Sequence, residues 1–385
     1  MSFKINQNLC LAYLFIVLAV TPSFKYFEYV FNFPRINITA IYAMIFLGIL
    51  LVNLYHYNKP FQKGTFNSFW LLVMLSMIQI VSLPWVVDYT NNGLFTYLTI
   101  ISRTILQYWL FWFVGIYIYQ IWNKEIFWKI MFYIWLLLAS LTIYSALSNK
   151  IFAVILHGQP IYLMLADSFA ILSLFILCKT KNSFGQILII IITVICLFAL
   201  FSRASFYCFI VTAFLFLYKN NKGLISFILT AFCIYFLSGT NNEIAENRML
   251  RMLYGAEDLS ATMRQEHMDR GLDALSSAWI LGDFMGDIKQ HFGKTGYYMH
   301  NYLSFWRQFG IVPFIVFGFI LISGFIHIFK AWIRNKKLNG IHLFLFHFTV
   351  FVLLEIIVAR SFVSPYVWLS IGGLSVFSND KSQVK

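Results

Sequence analysis

The sequence predicts an all-α polytopic membrane protein with about twelve transmembrane helices and one large external loop. Three observations carry that prediction. Of the 385 residues, 60% are hydrophobic and only 11% charged, against about 25% charged in a soluble domain, which excludes a water-soluble enzyme of this size. Apolar runs recur along the chain, and twelve spans of about 20 residues use about 240 of its residues. Lys and Arg gather in alternate connections, as the positive-inside rule requires of a chain that crosses a membrane repeatedly.

Run length places the spans at 9–24, 36–55, 67–87, 95–121, 126–147, 160–178, 186–201, 204–218, 224–238, 302–328, 341–359 and 361–377. Lys4 precedes the first run, but no small-x-small cleavage site follows it, so that segment is expected to be a retained span. Lys59, Lys63, Lys124, Lys179, Lys181, Lys219, Lys222 and the 330–337 cluster fall on one side with both termini, which the rule makes cytoplasmic. The organisation is therefore 1–238 for the first nine spans, 239–299 for the external loop and its approach to the next span, and 300–385 for the last three spans and a cytoplasmic tail.

The loop is the informative segment. Residues 239–296 hold nine of the fifteen acidic residues against six Lys/Arg, and a loop this long is more often functional than idle. Helices are expected over 241–254 and 260–278, with Asn241 and Ser260 as N-caps. In the second, Met268, Leu272 and Leu275 form a narrow apolar stripe that should lie against something.

Much chemistry is absent. There is no GxGxxG or GxxxxGK[ST] for a nucleotide and no HExxH for zinc. Cys10, Cys178, Cys196, Cys208 and Cys233 all sit in apolar runs without metal or disulfide spacing. Asp283 and Asp287 flank Gly286, and a solvated loop accounts for them better than a cation site. The net charge of +13 follows the topology signal and makes no stripe for nucleic acid.

What remains is a set of cations on the external face. Arg203 lies in the tight turn between spans seven and eight. Arg264 and Arg270 lie on the second loop helix, with His267 beside Arg264. His300 and Asn301 open span ten, and Ser304 and Arg307 are expected to share the His300 face. Arginines suit a bidentate grip on phosphate or pyrophosphate. A histidine at a helix N-terminus is kept neutral by the positive end of the dipole and can act as a general base. Cations for a pyrophosphate leaving group plus a base for a hydroxyl describe a transferase with a lipid-pyrophosphate donor, with no metal or other cofactor required. Arg103 sits about nine residues into span four, and Asp167 at similar depth in span six is its candidate partner, as a structural ion pair or as part of the site lining. Glu355 and Arg360, near the outer end of span eleven, read as structural.

Three short motifs in this order carry a resemblance: Ser202-Arg203-Ala204-Ser205, then Arg264 followed seven residues later by Gly271-Leu272, then His300-Asn301 leading to Gly310. Together they resemble the O-antigen polymerase/ligase superfamily, the Wzy-type polymerases and the O-antigen ligases. That resemblance implies a membrane glycosyltransferase C-type fold in a bacterial inner membrane, acting on an undecaprenyl-pyrophosphate-linked glycan at the periplasmic face. It implies that Arg203 and Arg264 hold the pyrophosphate, that His300 activates or orients the acceptor hydroxyl, and that Asn301 supports the helix start. Arg270 and Arg307 are added from geometry alone. Membrane lipids and a chain-length regulator are the further partners expected. Eight residues separate Asn301 from Gly310, one fewer than the ligase-like pattern, and Pro313 stands where that pattern has a second Gly. The polymerase is therefore the first choice and the ligase the second. A transporter of lipid-linked sugars is the third, since the cations and the large loop concentrate on one face rather than in repeats near the midplane.

Overall fold

The computed structural model describes residues 63–86, 93–122, 125–147, 161–218, 259–292, 299–334, 338, 340–361 and 363–377. Among these residues the regular structure is helical throughout. The helices are α1 (Lys63–Val81), α2 (Leu83–Val86), α3 (Gly93–Trp122), α4 (Glu125–Leu147), α5 (Ile161–Lys179), α6 (Ser183–Ala199) and α7 (Arg203–Tyr218), then α8 (Leu259–Ser277), α9 (Gly286–Gln290), α10 (Leu303–Phe309), α11 (Ile311–Arg334), α12 (Gly340–Val358) and α13 (Pro365–Phe377). Four described segments are long and apolar enough to cross a membrane: Tyr97–Tyr119 within α3, and α4, α11 and α12. The protein is thus a helical membrane protein. The spans expected at 9–24, 36–55 and 224–238, and the loop helix expected at 241–254, lie outside the described residues.

The chain divides into two compact units. The first contains 119–258 and 339–351, with α4 to α7 and the opening of α12. Its centre is α5, buried without a break from Leu165 to Leu177, as a helix surrounded by others is. Phe175 on α5 meets Trp122, Phe127 and Phe344 at ring-centroid distances of 5.0, 5.7 and 5.6 Å. The polar atoms this burial brings in are satisfied locally: Trp135 Nε1 donates to Ser173 Oγ at 2.8 Å, and Ser173 Oγ donates to the Phe169 carbonyl at 2.7 Å. At the turn into α6, the Asn182 side chain accepts from the Phe184 N–H, an N-cap bond.

The second unit contains 39–118, 259–338 and 352–385, with α1, α2, most of α3, α8 to α11, the end of α12 and α13. Here α13 is the buried helix. A hydroxyl–indole chain joins it to its neighbours: Trp112 Nε1 donates to Ser68 Oγ at 3.0 Å, and Ser68 and Ser375 Oγ lie 3.0 Å apart. On the α11 side, Phe317 stands 6.0 Å from Trp368.

Two expected spans are built differently. The run at 67–87 is α1 followed by the single turn α2, with Ser82 Oγ bonded back to the Ile78 carbonyl between them. The run at 302–328 is broken at Gly310, which has φ 82 and separates α10 from α11. Pro313 falls in the first turn of α11, where its missing N–H costs nothing, so the chain restarts a helix there rather than continuing one. The break is packed tightly: a Cβ on Gly310 would overlap the Ile280 carbonyl, and one on Gly282 (φ 75) would overlap the Gly310 amide. Gly310→Ala should therefore destabilise the protein by about 1–3 kcal/mol from backbone strain alone. Thermal unfolding in detergent measures this, with Gly318→Ala, where a Cβ meets open space, as the unaffected control.

Candidate functional site

The site grows from the face that α8 turns to the chain entering α10. Arg264, Met268, Gly271 and Leu275 recur at helical spacing and share one face. Gly271 is buried against Met299, and a Cβ there would collide with the Met299 thioether. Asn301 Nδ2 donates to Met268 Sδ at 3.0 Å. The contact stripe is thus Met268, Gly271 and Leu275, while Leu272 is exposed. This corrects the expected stripe of Met268, Leu272 and Leu275, because the gap at Gly271 admits Met299 and turns the contact face away from Leu272.

That packing gathers three imidazoles. The ring centroid of His267 lies 6.4 Å from that of His300 and 5.6 Å from that of His291. Burial, then the charges of Arg264, His267 and Arg360, pushes His300 down to about 4, so it is neutral near pH 7. The helix dipole expected for this role has little to act through, since His300 precedes α10 and that helix is only seven residues long. Burial, with His291 and Arg270, lowers His267 as well, against a smaller pull from Glu266. Burial and Arg270 lower His291. Its Nδ1 is 2.9 Å from the Asp287 carbonyl, which can only accept, so Nδ1 carries the proton in the neutral ring.

Asn301 organises the start of α10. Its Oδ1 accepts from the Leu303 N–H at 3.0 Å, and its carbonyl accepts from Ser304 Oγ at 2.7 Å. Ser304 is consequently buried in a local turn. Arg307 also departs from expectation. It does not share a cationic strip with His300 but is 1% exposed and ion-paired with Asp287, with Asp283 at 3.9 Å. The second Asp287 oxygen accepts from Gln308 Nε2 at 2.9 Å, and Gln308 Oε1 accepts from the Met285 N–H at 2.7 Å. The solvated-loop reading is corrected for Asp287, which is buried because a guanidinium and an amide satisfy its charge, while Asp283 stays part-exposed. This clamp carries α9, whose Asp287 carbonyl holds His291. Arg270 lies on the exposed side of α8, 3.9 Å from Glu266 one turn earlier, and its charge reaches both His267 and His291.

Arg203 belongs to the other unit and is described within it. It is half-buried at the first position of α7, after a turn in which Phe201 takes φ 53, a strained conformation for a bulky residue. The turn is anchored from below. Ser202 and Ser205 Oγ lie 2.7 Å apart, and Ser205 Oγ donates to Asp167 Oδ1 at 2.5 Å, with all three residues buried. Asp167 therefore supports the Arg203 turn through Ser205. Arg103 is exposed on α3, in the second unit.

Chemically, the second unit offers a neutral imidazole beside two guanidinium groups, which together suit an anion and a hydroxyl that must lose a proton. Sequence reasoning passed over His291, which no spacing joins to His267. It also assigned Arg360 to structure, whereas its charge reaches His300. Compared with known proteins, the chain matches no family model and no curated protein.

Proposed function

We propose that the protein is a surface-polysaccharide polymerase of the O-antigen polymerase type, with about twelve spans, both termini cytoplasmic and its working face periplasmic. It transfers an undecaprenyl-pyrophosphate-linked glycan onto the lipid-linked repeat unit that accepts it. The acceptor hydroxyl attacks the anomeric carbon of the donor glycan, the bond from that carbon to the pyrophosphate oxygen breaks, and undecaprenyl pyrophosphate leaves. His300 takes the hydroxyl proton, and Arg264 faces the charge developing on the leaving group. Arg203 is assigned a part in anion binding by the resemblance of its Ser-Arg turn.

The observation that supports this reading most is His300, held neutral at pH 7 with Arg264 and Arg360 as its charged neighbours. A base that ionised near 6.5 would be partly protonated at neutral pH, whereas this one is unprotonated there, at the cost of a weaker pull on the hydroxyl proton.

The cellular test complements a deletion strain with wild type, Arg203→Ala or Arg264→Ala and compares surface polysaccharide on a gel. Each arginine variant should give a single repeat unit on the lipid core in place of long chains. Long lipid-linked chains that fail to reach the core would assign the ligase reaction instead. Normal chains from both variants would remove the arginines from the site.

A further inference from the structure

The tip of the segment between α8 and α9 is apolar and turned outward. Trp279 and Ile280 are each 52% exposed and Leu281 is 83% exposed. The surrounding loop is strongly charged, yet residues 274–282 contain no Asp, Glu, Lys or Arg. Large apolar side chains on a solvated loop normally fold inward or mark a contact. These are held outward by backbone geometry. The Ile280 carbonyl accepts from the Ile311 N–H at 3.2 Å, the Trp279 carbonyl accepts from Trp306 Nε1 at 2.7 Å, and Gly282 closes against Gly310.

Those bonds fix the level of the tip at the first turn of α11. On that helix Val312, Ile315, Phe319 and Ile322 are exposed at three- and four-residue spacing, one stripe along the face of a membrane-length helix. In a membrane such a stripe meets lipid. The tip lies at the end where α11 begins, and it brings a tryptophan, the residue that prefers the boundary between acyl chains and headgroups.

We propose that residues 279–281 are a membrane-surface anchor, immersed in bilayer lipid at the acyl-chain and headgroup boundary of the leaflet where α11 starts. Their partner is the lipid itself, which also meets the exposed stripe of α11. The anchor sets the depth of what is built on it. Directly before the tip stands α8, carrying Arg264 and His267, and directly after it stands the Asp283–Asp287 clamp that holds His291. The three-imidazole cluster is thereby kept at headgroup level instead of swinging out with the loop. This holds whatever reaction the cluster performs.

The test uses the full-length wild-type protein in phosphatidylcholine/phosphatidylglycerol vesicles containing a phospholipid with a photoactivatable diazirine in its acyl chain. Peptide mass spectrometry maps the adducts, and a parallel sample is exposed to hydroxyl radicals generated in the water phase. Lipid adducts are expected on 279–281 and on 312–322 but not on 265–270, with Trp279 oxidised several-fold less than Met263, which is exposed on α8. Oxidation of Trp279 matching Met263, with no lipid adduct at the tip, would overturn the anchor. Protection from both probes together with cross-links between copies would give the tip to a second copy of the chain, and would overturn it equally.

Discussion

His300→Ala should lower the turnover of glycan transfer by about 10²–10⁴-fold while leaving donor binding close to wild type, the pattern of a lost general base. The pH profile gives the finer check. With the imidazole pushed down to about 4, the acidic fall in kcat/KM of the wild type should lie well below the value near 6.5 of a free histidine. Arg264→Gln and Arg360→Gln each remove one depressing charge and should move that fall upward, and Arg360→Gln should do so without an equal loss of turnover at pH 8. The stability sign follows from the same shift. Between about 6.5 and 4 the unfolded chain binds the proton that folded His300 refuses, so acidification over that window favours unfolding. Steady-state kinetics of the purified protein from about pH 3.5 to 8.5 measures the first effect. An acidic fall at 6.5, unmoved by either substitution, would remove His300 from the role of base.

Asp287→Ala should be the most destabilising single change in the second unit, at about 3–5 kcal/mol, because it leaves the Arg307 guanidinium buried without its counter-charge. Asp283→Ala should cost much less, since that carboxylate is 3.9 Å from Arg307 and its side chain is 37% exposed. The double change Asp287→Leu with Arg307→Met should restore most of the loss, because apolar groups of similar volume often replace a buried pair at little cost. Detergent melts of the four proteins separate these outcomes. A loss in the double variant as large as in Asp287→Ala would mean that the two side chains do not act as a pair.

Span limits were legible wherever an apolar run ended in polar residues. The run at 126–147 is α4, Glu125–Leu147, and the run expected at 160–178 corresponds to α5, Ile161–Lys179. What the periodicity hid was the break inside 302–328, because the residues on both sides of Gly310 are apolar and only Gly310 and Pro313 mark it. Half of the site was legible on the same ground. Arg264, His267 and Gly271 share a helix face by spacing alone, and His300-Asn301 stands out where a loop meets a helix. Arg307 was misplaced because a helical wheel presumes a helix that already includes His300, and Asp287 was read as solvated because its partner comes from a distant segment. His291 reaches the cluster only through the α9 turn that this ion pair holds, which no local pattern encodes.

The proposed reaction is a one-sided transfer from a lipid-pyrophosphate donor. Its most direct test is the purified protein in proteoliposomes given only undecaprenyl-pyrophosphate-linked repeat unit, with the lipid-linked products separated by size. A ladder of lengthening lipid-linked chains with release of undecaprenyl pyrophosphate is expected, abolished by His300→Ala and Arg264→Ala. Unchanged repeat units that have instead moved from one leaflet to the other would contradict it and make the protein a transporter.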